Sequence, residues 1–254
     1  MLGDLILLSG NDIPFPEAQI TIHQPTLKEV AYIGERAFFV GCSFLDFSKD
    51  MLSTEDKVRL DNYDDFDIFM SIITNPNGDV KTSIESAFLV LDLIFPLYSI
   101  SVRDNAIILT QDGQERSINK NNFIAFKKII SSMFNLHIGK NQSVDQYNPR
   151  GDLATRIAEK LKKRHDILAK ASKMSNDKAG EFSILSRYVS ILAVGLQKNM
   201  NDLMQYTVCQ LYDEFQRFQL KVQWDAYIQA RMAGAQDLDE VDNWMIDLRE
   251  ARKK

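Results

Sequence analysis

Only two cysteines, Cys42 and Cys209, occur in the 254 residues, and they stand far apart. Two lone cysteines argue against a secreted disulfide framework and suit a reducing compartment. Both stand among apolar neighbours and are expected to be small buried side chains. Histidine is scarce as well. His23, His137 and His165 lack ligand spacing, so no zinc centre and no other metal or cofactor is expected. Apolar runs approaching the ~20 residues of a membrane span are missing. The opening MLGDLILLSG contains Asp4 and lacks a basic lead-in, so it does not read as a signal peptide. Phosphate-binding, dinucleotide-binding and nucleophile-elbow signatures are absent too, and no enzyme is expected. The acidic run DNYDDFDIF, Asp61 to Phe69, lacks the glycine and closing glutamate of a calcium loop. It reads instead as a helix start, where carboxylates favour the macrodipole.

What is present divides the chain. Proline is confined to the first 149 residues, and Asp152 onwards carries helical spacing throughout. This predicts an α+β protein: a mixed domain over 1–137, a polar linker over 138–151, and a helical domain over 152–254. In the first part, Leu5 to Ser9 and Ala18 to His23 read as strands around the turn Ile13-Pro14-Phe15-Pro16. Thr26 and Glu29 have capping-box spacing ahead of a short helix that Gly34 would stop. Helices are expected near 53–60, 64–73 and 83–95, with a turn at Asn75 to Asp79. Two turn dipeptides, Asp104-Asn105 and Asp112-Gly113, punctuate a three-stranded meander. A helix over 121–136 closes this part.

The second part is read as helices at 152–172, 180–198, 200–232 and 238–250. The first is strongly basic. Nine Lys/Arg against four Asp/Glu fall between Asn148 and Lys178, in a chain of net charge −5. Arg156, Lys160, Lys163 and Arg164 form its basic patch. That pattern fits a nucleic-acid footprint, a solvated helix face, or a surface for an acidic partner. No aromatic side chain accompanies it for stacking on a single strand. The last helix, DLDEVDNWMIDL, is acidic and amphipathic with Trp244 beside its apolar stripe, the type that docks in a groove of its own chain or of a partner.

The long helix poses the main question. CQLYDEFQRFQLKVQWDAYIQARM carries five aromatic residues. Met204, Val208, Leu211, Phe215, Phe218 and Val222 make a heptad seam. That seam would pack on the Phe182, Leu185, Val189, Leu192 and Leu196 stripe of the preceding helix. Tyr212, Leu220, Trp224, Tyr227 and Ile228 lie off that seam and need another surface, which the N-terminal domain, a second copy of the chain or a client protein could supply. Together with ITIHQPTLKEVAYIGERAFFVGC near the start, this stretch and the QDLDEVDNWMIDL after it resemble the tail assembly chaperones of tailed bacteriophages infecting Gram-positive hosts. The resemblance implies a non-enzymatic protein of the host cytoplasm. Its partner would be the tape measure protein, kept soluble until tube proteins polymerise around it. Trp224, Tyr227, Ile228, Trp244, Met245 and Leu248 would then be the contact residues. A virion structural component, such as a baseplate or tail protein, is the alternative, and a nucleic-acid-binding protein using 152–173 a third.

Overall fold

A computed structural model describes residues 4–49, 60–74, 81–134, 183–234 and 241–246. The expected helix near 53–60, the turn at 75–79, the linker, and the basic helix with Arg156, Lys160, Lys163 and Arg164 lie outside the described residues. The chain divides into two compact units, His137–Ile184 and the remainder. The larger unit is an α+β arrangement of helices with two small antiparallel sheets.

The first element is a helix, α1 (Asp4–Ser9), where a strand was expected. A six-residue apolar run does not distinguish the two by periodicity. Tertiary partners decide it here. The side-chain amide of Gln24 donates to the Ile6 carbonyl at 2.8 Å, and that of Gln210 donates to the Leu8 carbonyl at 2.8 Å. Carbonyls left over at a helix end are thereby satisfied. Ile13-Pro14-Phe15, expected as a turn, is instead strand β1 (Ile13–Phe15), paired with β2 (Ile20–Ile22). Pro14 faces outward opposite Thr21 in a sheet of only two strands, where its missing N–H breaks no ladder. Ile13, Phe15, Ile20 and Ile22 all turn inward.

The capping box forms as expected. Glu29 N donates to Thr26 Oγ1 at 3.3 Å, and Thr26 N donates to the Glu29 carboxylate at 2.7 Å, opening α2 (Leu27–Ile33). Gly34 ends it at φ +89 and starts α3 (Glu35–Leu45), a helix not anticipated from the sequence. Next come α4 (Asp65–Thr74) and α5 (Lys81–Ile94). Helices α3 and α5 cross at Gly41, where a Cβ would stand 2.3 Å from the Ser86 carbonyl oxygen. The acidic start of α4 meets lysines: Lys120 bridges Asp64 (2.7 Å) and Asp67 (2.8 Å), and Lys127 pairs with Asp65 at 2.9 Å.

The meander is β3 (Ser99–Arg103), β4 (Ala106–Gln111) and β5 (Gln114–Ile118), in register through Val102 opposite Ile107 and Leu109 opposite Arg116. Asp104, Asn105, Asp112 and Gly113 all have positive φ, as tight hairpin turns require. Ile107, Leu109 and Ile118 face the core beside α6 (Phe123–Met133). There Phe15, Phe95, Phe123 and Phe126 pack ring against ring, with centroids 6.1 to 6.5 Å apart.

The helices after residue 184 do not form a core of their own. In α7 (Ile184–Gly195), Leu185, Val189 and Leu192 are buried in the same cluster as Phe38, Cys42 and Phe126. The expected helical domain over 152–254 is corrected to that extent. The helix expected over 200–232 is broken as well. A short α8 (Met200–Leu203) is separated by Met204–Thr207 from α9 (Val208–Met232). The break has a tertiary cause. The carbonyls of Met204 and Tyr206 accept from Lys28 N (3.0 Å) and Leu27 N (2.8 Å), two N–H groups at the start of α2. A continuous helix would have engaged those carbonyls itself.

Candidate interaction surface on the long helix

Thr207 opens α9 with a second capping box: Gln210 N donates to Thr207 Oγ1 at 3.3 Å, and Thr207 N donates to Gln210 Oε1 at 2.8 Å. Thr207 also forms an isolated antiparallel bridge with Thr26, so the two capped helix starts lie against each other. Lys198 anchors the approach, donating to the Tyr206 hydroxyl at 2.7 Å and to Glu214 at 2.8 Å. Hydrogen bonds to Glu214 and then Tyr206 raise the Lys198 pKa.

The helix then has two different halves. Over Val208–Phe218 it is a core element. Val208, Leu211 and Phe215 are buried, as the heptad seam predicts. The Phe215 ring stacks on Tyr188 with centroids 3.8 Å apart, and Tyr212 meets the same Tyr188 edge-on at 5.6 Å. Burial, with Tyr188, Glu35 and Cys42 adding to it, pushes the Tyr212 hydroxyl pKa up to about 12. Tyr212 therefore belongs to the core, although it lies off the seam. Phe218 lies over Gly195 at the end of α7, where a Cβ would come within 2.3 Å of the ring.

Beyond Phe218 the seam leaves the core. Val222, its next member, is 50 % exposed, which corrects its expected burial. Ile228 is 36 % and Met232 84 % exposed, and none of Leu220, Trp224, Tyr227 or Ile228 joins the core cluster. Trp224 and Tyr227 are half-buried and pack on each other, centroids 5.8 Å apart at 33°. The Arg231 guanidinium lies 5.8 Å from the Tyr227 ring centre. Salt bridges Asp213–Arg217 (3.4 Å) and Lys221–Asp225 (2.7 Å) run along the helix surface.

Of the residues singled out from sequence, Trp224, Tyr227 and Ile228 are thus brought together on the distal half of α9. Trp244 and Met245 are not on a helix. Val241–Ile246 is irregular and turned, correcting the helix expected over 238–250 across these six residues. Asn243 causes this, its side-chain oxygen accepting from Met245 N at 3.0 Å and its carbonyl from Ile246 N at 3.0 Å. Such local bonding competes with a helix. Trp244 is half-buried, Met245 is 68 % exposed, and Leu248 lies outside the described residues. Arg217 was not among the residues singled out. Its Nη1 donates to the carbonyls of Trp244 (3.4 Å) and Ile246 (3.5 Å). Contacts to backbone carbonyls leave no trace in a sequence pattern.

Other chemistry is sparse. His23 has Asp12 at 2.8 Å from Nδ1 and Glu29 at 3.3 Å from Nε2. Glu29 is otherwise committed to its cap. Although burial opposes it, hydrogen bonds from Thr26 and the nearby His23 hold the Glu29 carboxylate below its usual pKa. Burial raises the Cys42 thiol well above its ordinary pKa, with Asp46 adding to it, while Cys209 is only half-buried. Among the described residues no group of three or more His, Cys, Asp or Glu is placed to hold a metal ion. No described helix is long and apolar enough to cross a membrane.

An α+β protein presenting a partly uncovered helix is the class that this geometry fits. Residues 175–248 match the sequence model of the YomV second domain, the stretch that here contains α7, α8, α9 and Val241–Ile246. YomV is a protein of a Bacillus phage region, and the match supports a phage-related protein. No curated protein and no solved structure matches the chain.

Proposed function

We propose that the protein is a phage tail assembly chaperone that binds the tape measure protein and keeps it soluble in the host cytoplasm while the tail forms. The observation carrying this reading is the distal half of α9, where Val222, Trp224, Tyr227, Ile228 and Met232 lie outside the core. An amphipathic client helix would lay its apolar face along such a stretch. Trp, Tyr and Arg are the residue types that most often dominate binding energy, and Trp224, Tyr227 and Arg231 cluster here. The work needs no cofactor or bond chemistry. The phage-related match over residues 175–248 agrees with it.

Co-expression with a tape measure gene of the same phage tests the proposal. The soluble fraction of that gene product should rise with the wild-type chain and fall back with Trp224→Ala/Tyr227→Ala. A chain that leaves the client insoluble yet is found in purified particles is a virion structural component, and the chaperone reading fails.

A further inference from the structure

The segment Val241–Ile246 offers more than a second set of contact residues. Arg217 precedes Met232 by about 22 Å of helix at ~1.5 Å per residue. Its guanidinium nevertheless reaches the carbonyls of both Trp244 and Ile246. The chain that leaves α9 at Met232 has therefore turned back to lie beside the helix by Trp244. The Asn243 turn makes this contact possible. In a helix the Trp244 and Ile246 carbonyls would be directed along the axis to later N–H groups, whereas here they point to a cation. The stretch from Asp237 to Asp247 is acidic in sequence, whereas α9 is balanced, with Arg217, Lys221 and Arg231 against Asp213, Glu214 and Asp225, so the contact rests on Arg217 itself and not on net charge. The hold is light, two long hydrogen bonds from one side chain that also serves Asp213.

We propose that Val241–Ile246 is an internal strap that docks on α9 at Arg217, about two helical turns before Trp224, and competes with a client helix that lies along the distal half and extends past that point. This rests on the reading of that half as the client surface. Trp244 then belongs to the strap and is not a client contact. The apparent client affinity is lowered by the fraction of molecules whose strap is docked.

The test uses the full chain and Arg217→Met, which keeps the stem of the side chain and removes its donors. Acrylamide quenching of tryptophan emission, with Trp244→Phe as the subtraction control, reads the exposure of Trp244. Arg217→Met should make Trp244 more quenchable and should bind the tape measure protein more tightly, by about 3- to 10-fold. Unchanged quenching of Trp244 overturns the strap. Release of Trp244 with no gain in affinity, or with a loss, overturns the competition and leaves the chaperone reading standing. Failure of both the wild-type chain and Arg217→Met to bind that client overturns the two together.

Discussion

Replacing Gly41 by alanine isolates the contact that sets the spacing of the two central helices. On an exposed helix the same change would stabilise by about 1 kcal/mol, because glycine is the poorer helix former. Here the added Cβ would lie 2.3 Å from the Ser86 carbonyl oxygen, 2.7 Å from its carbon and 2.7 Å from Val90 Cγ2. Two of those atoms are backbone of α5, so no rotamer change relieves them. The helices must separate by roughly an ångström, opening the layer that holds Phe38, Val90 and Leu91. Overpacking of a filled core costs about 1–3 kcal/mol, and a backbone clash belongs at the upper end. After the gain in helix propensity, a net loss of about 2 kcal/mol remains. At roughly 2–4 °C per kcal/mol for a chain of this size, Tm should fall by about 4–8 °C. Differential scanning calorimetry reads the shift directly. Gly195→Ala is the graded comparison, since the atoms nearest its Cβ belong to the Phe218 ring, which can swing away. A Gly41→Ala protein as stable as the wild type, or less affected than Gly195→Ala, would refute the reasoning.

Three other outcomes rest on the same geometry. Phe215→Ala removes a ring stacked on Tyr188 and should cost about 3–5 kcal/mol in urea unfolding, whereas Trp224→Ala should stay within about 0.5 kcal/mol. Equal losses would mean that the distal half is core after all. Thr207→Ala removes a helix cap and should cost about 1 kcal/mol, with Thr207→Ser recovering most of it. Asp65 is partly desolvated, but the Lys49 amide and the Lys127 ammonium hold its carboxylate below the ordinary pKa. Its contribution is therefore complete at neutral pH and drains away as pH falls through and below about 4. Asp65→Asn should flatten that part of the stability–pH curve, and a curve of unchanged slope would exclude Asp65 as a source.

Local chemistry accounts for the parts of the fold that are legible in the amino-acid order. Thr26 with Glu29, Gly34, Asp104-Asn105 and Asp112-Gly113 each specify a backbone conformation through neighbours only a few residues away. The apolar periodicity of Leu185–Val189–Leu192 and Val208–Leu211–Phe215 likewise marks a buried face wherever that face ends up. The uncovered cluster was legible in outline, because Trp224, Tyr227 and Ile228 fall off the heptad seam. Its limits were not. Val222 continues the seam by spacing, and only the position of the core leaves it half in solvent.

What the sequence determined by itself, then, was the α+β class, the meander with its turns, the Thr26–Glu29 cap, and a long helix carrying more large rings than one face could bury. Those features depend on propensity and on bonds a few residues long. Only the tertiary structure decided that Leu5–Ser9 is helical, that the chain breaks at Met204–Thr207, and that residues after 184 share the N-terminal core. It alone decided that Arg217 holds Val241–Ile246 back against α9. Each of these depends on a backbone carbonyl or a buried layer supplied from far along the chain, and such partners have no signature in the local pattern.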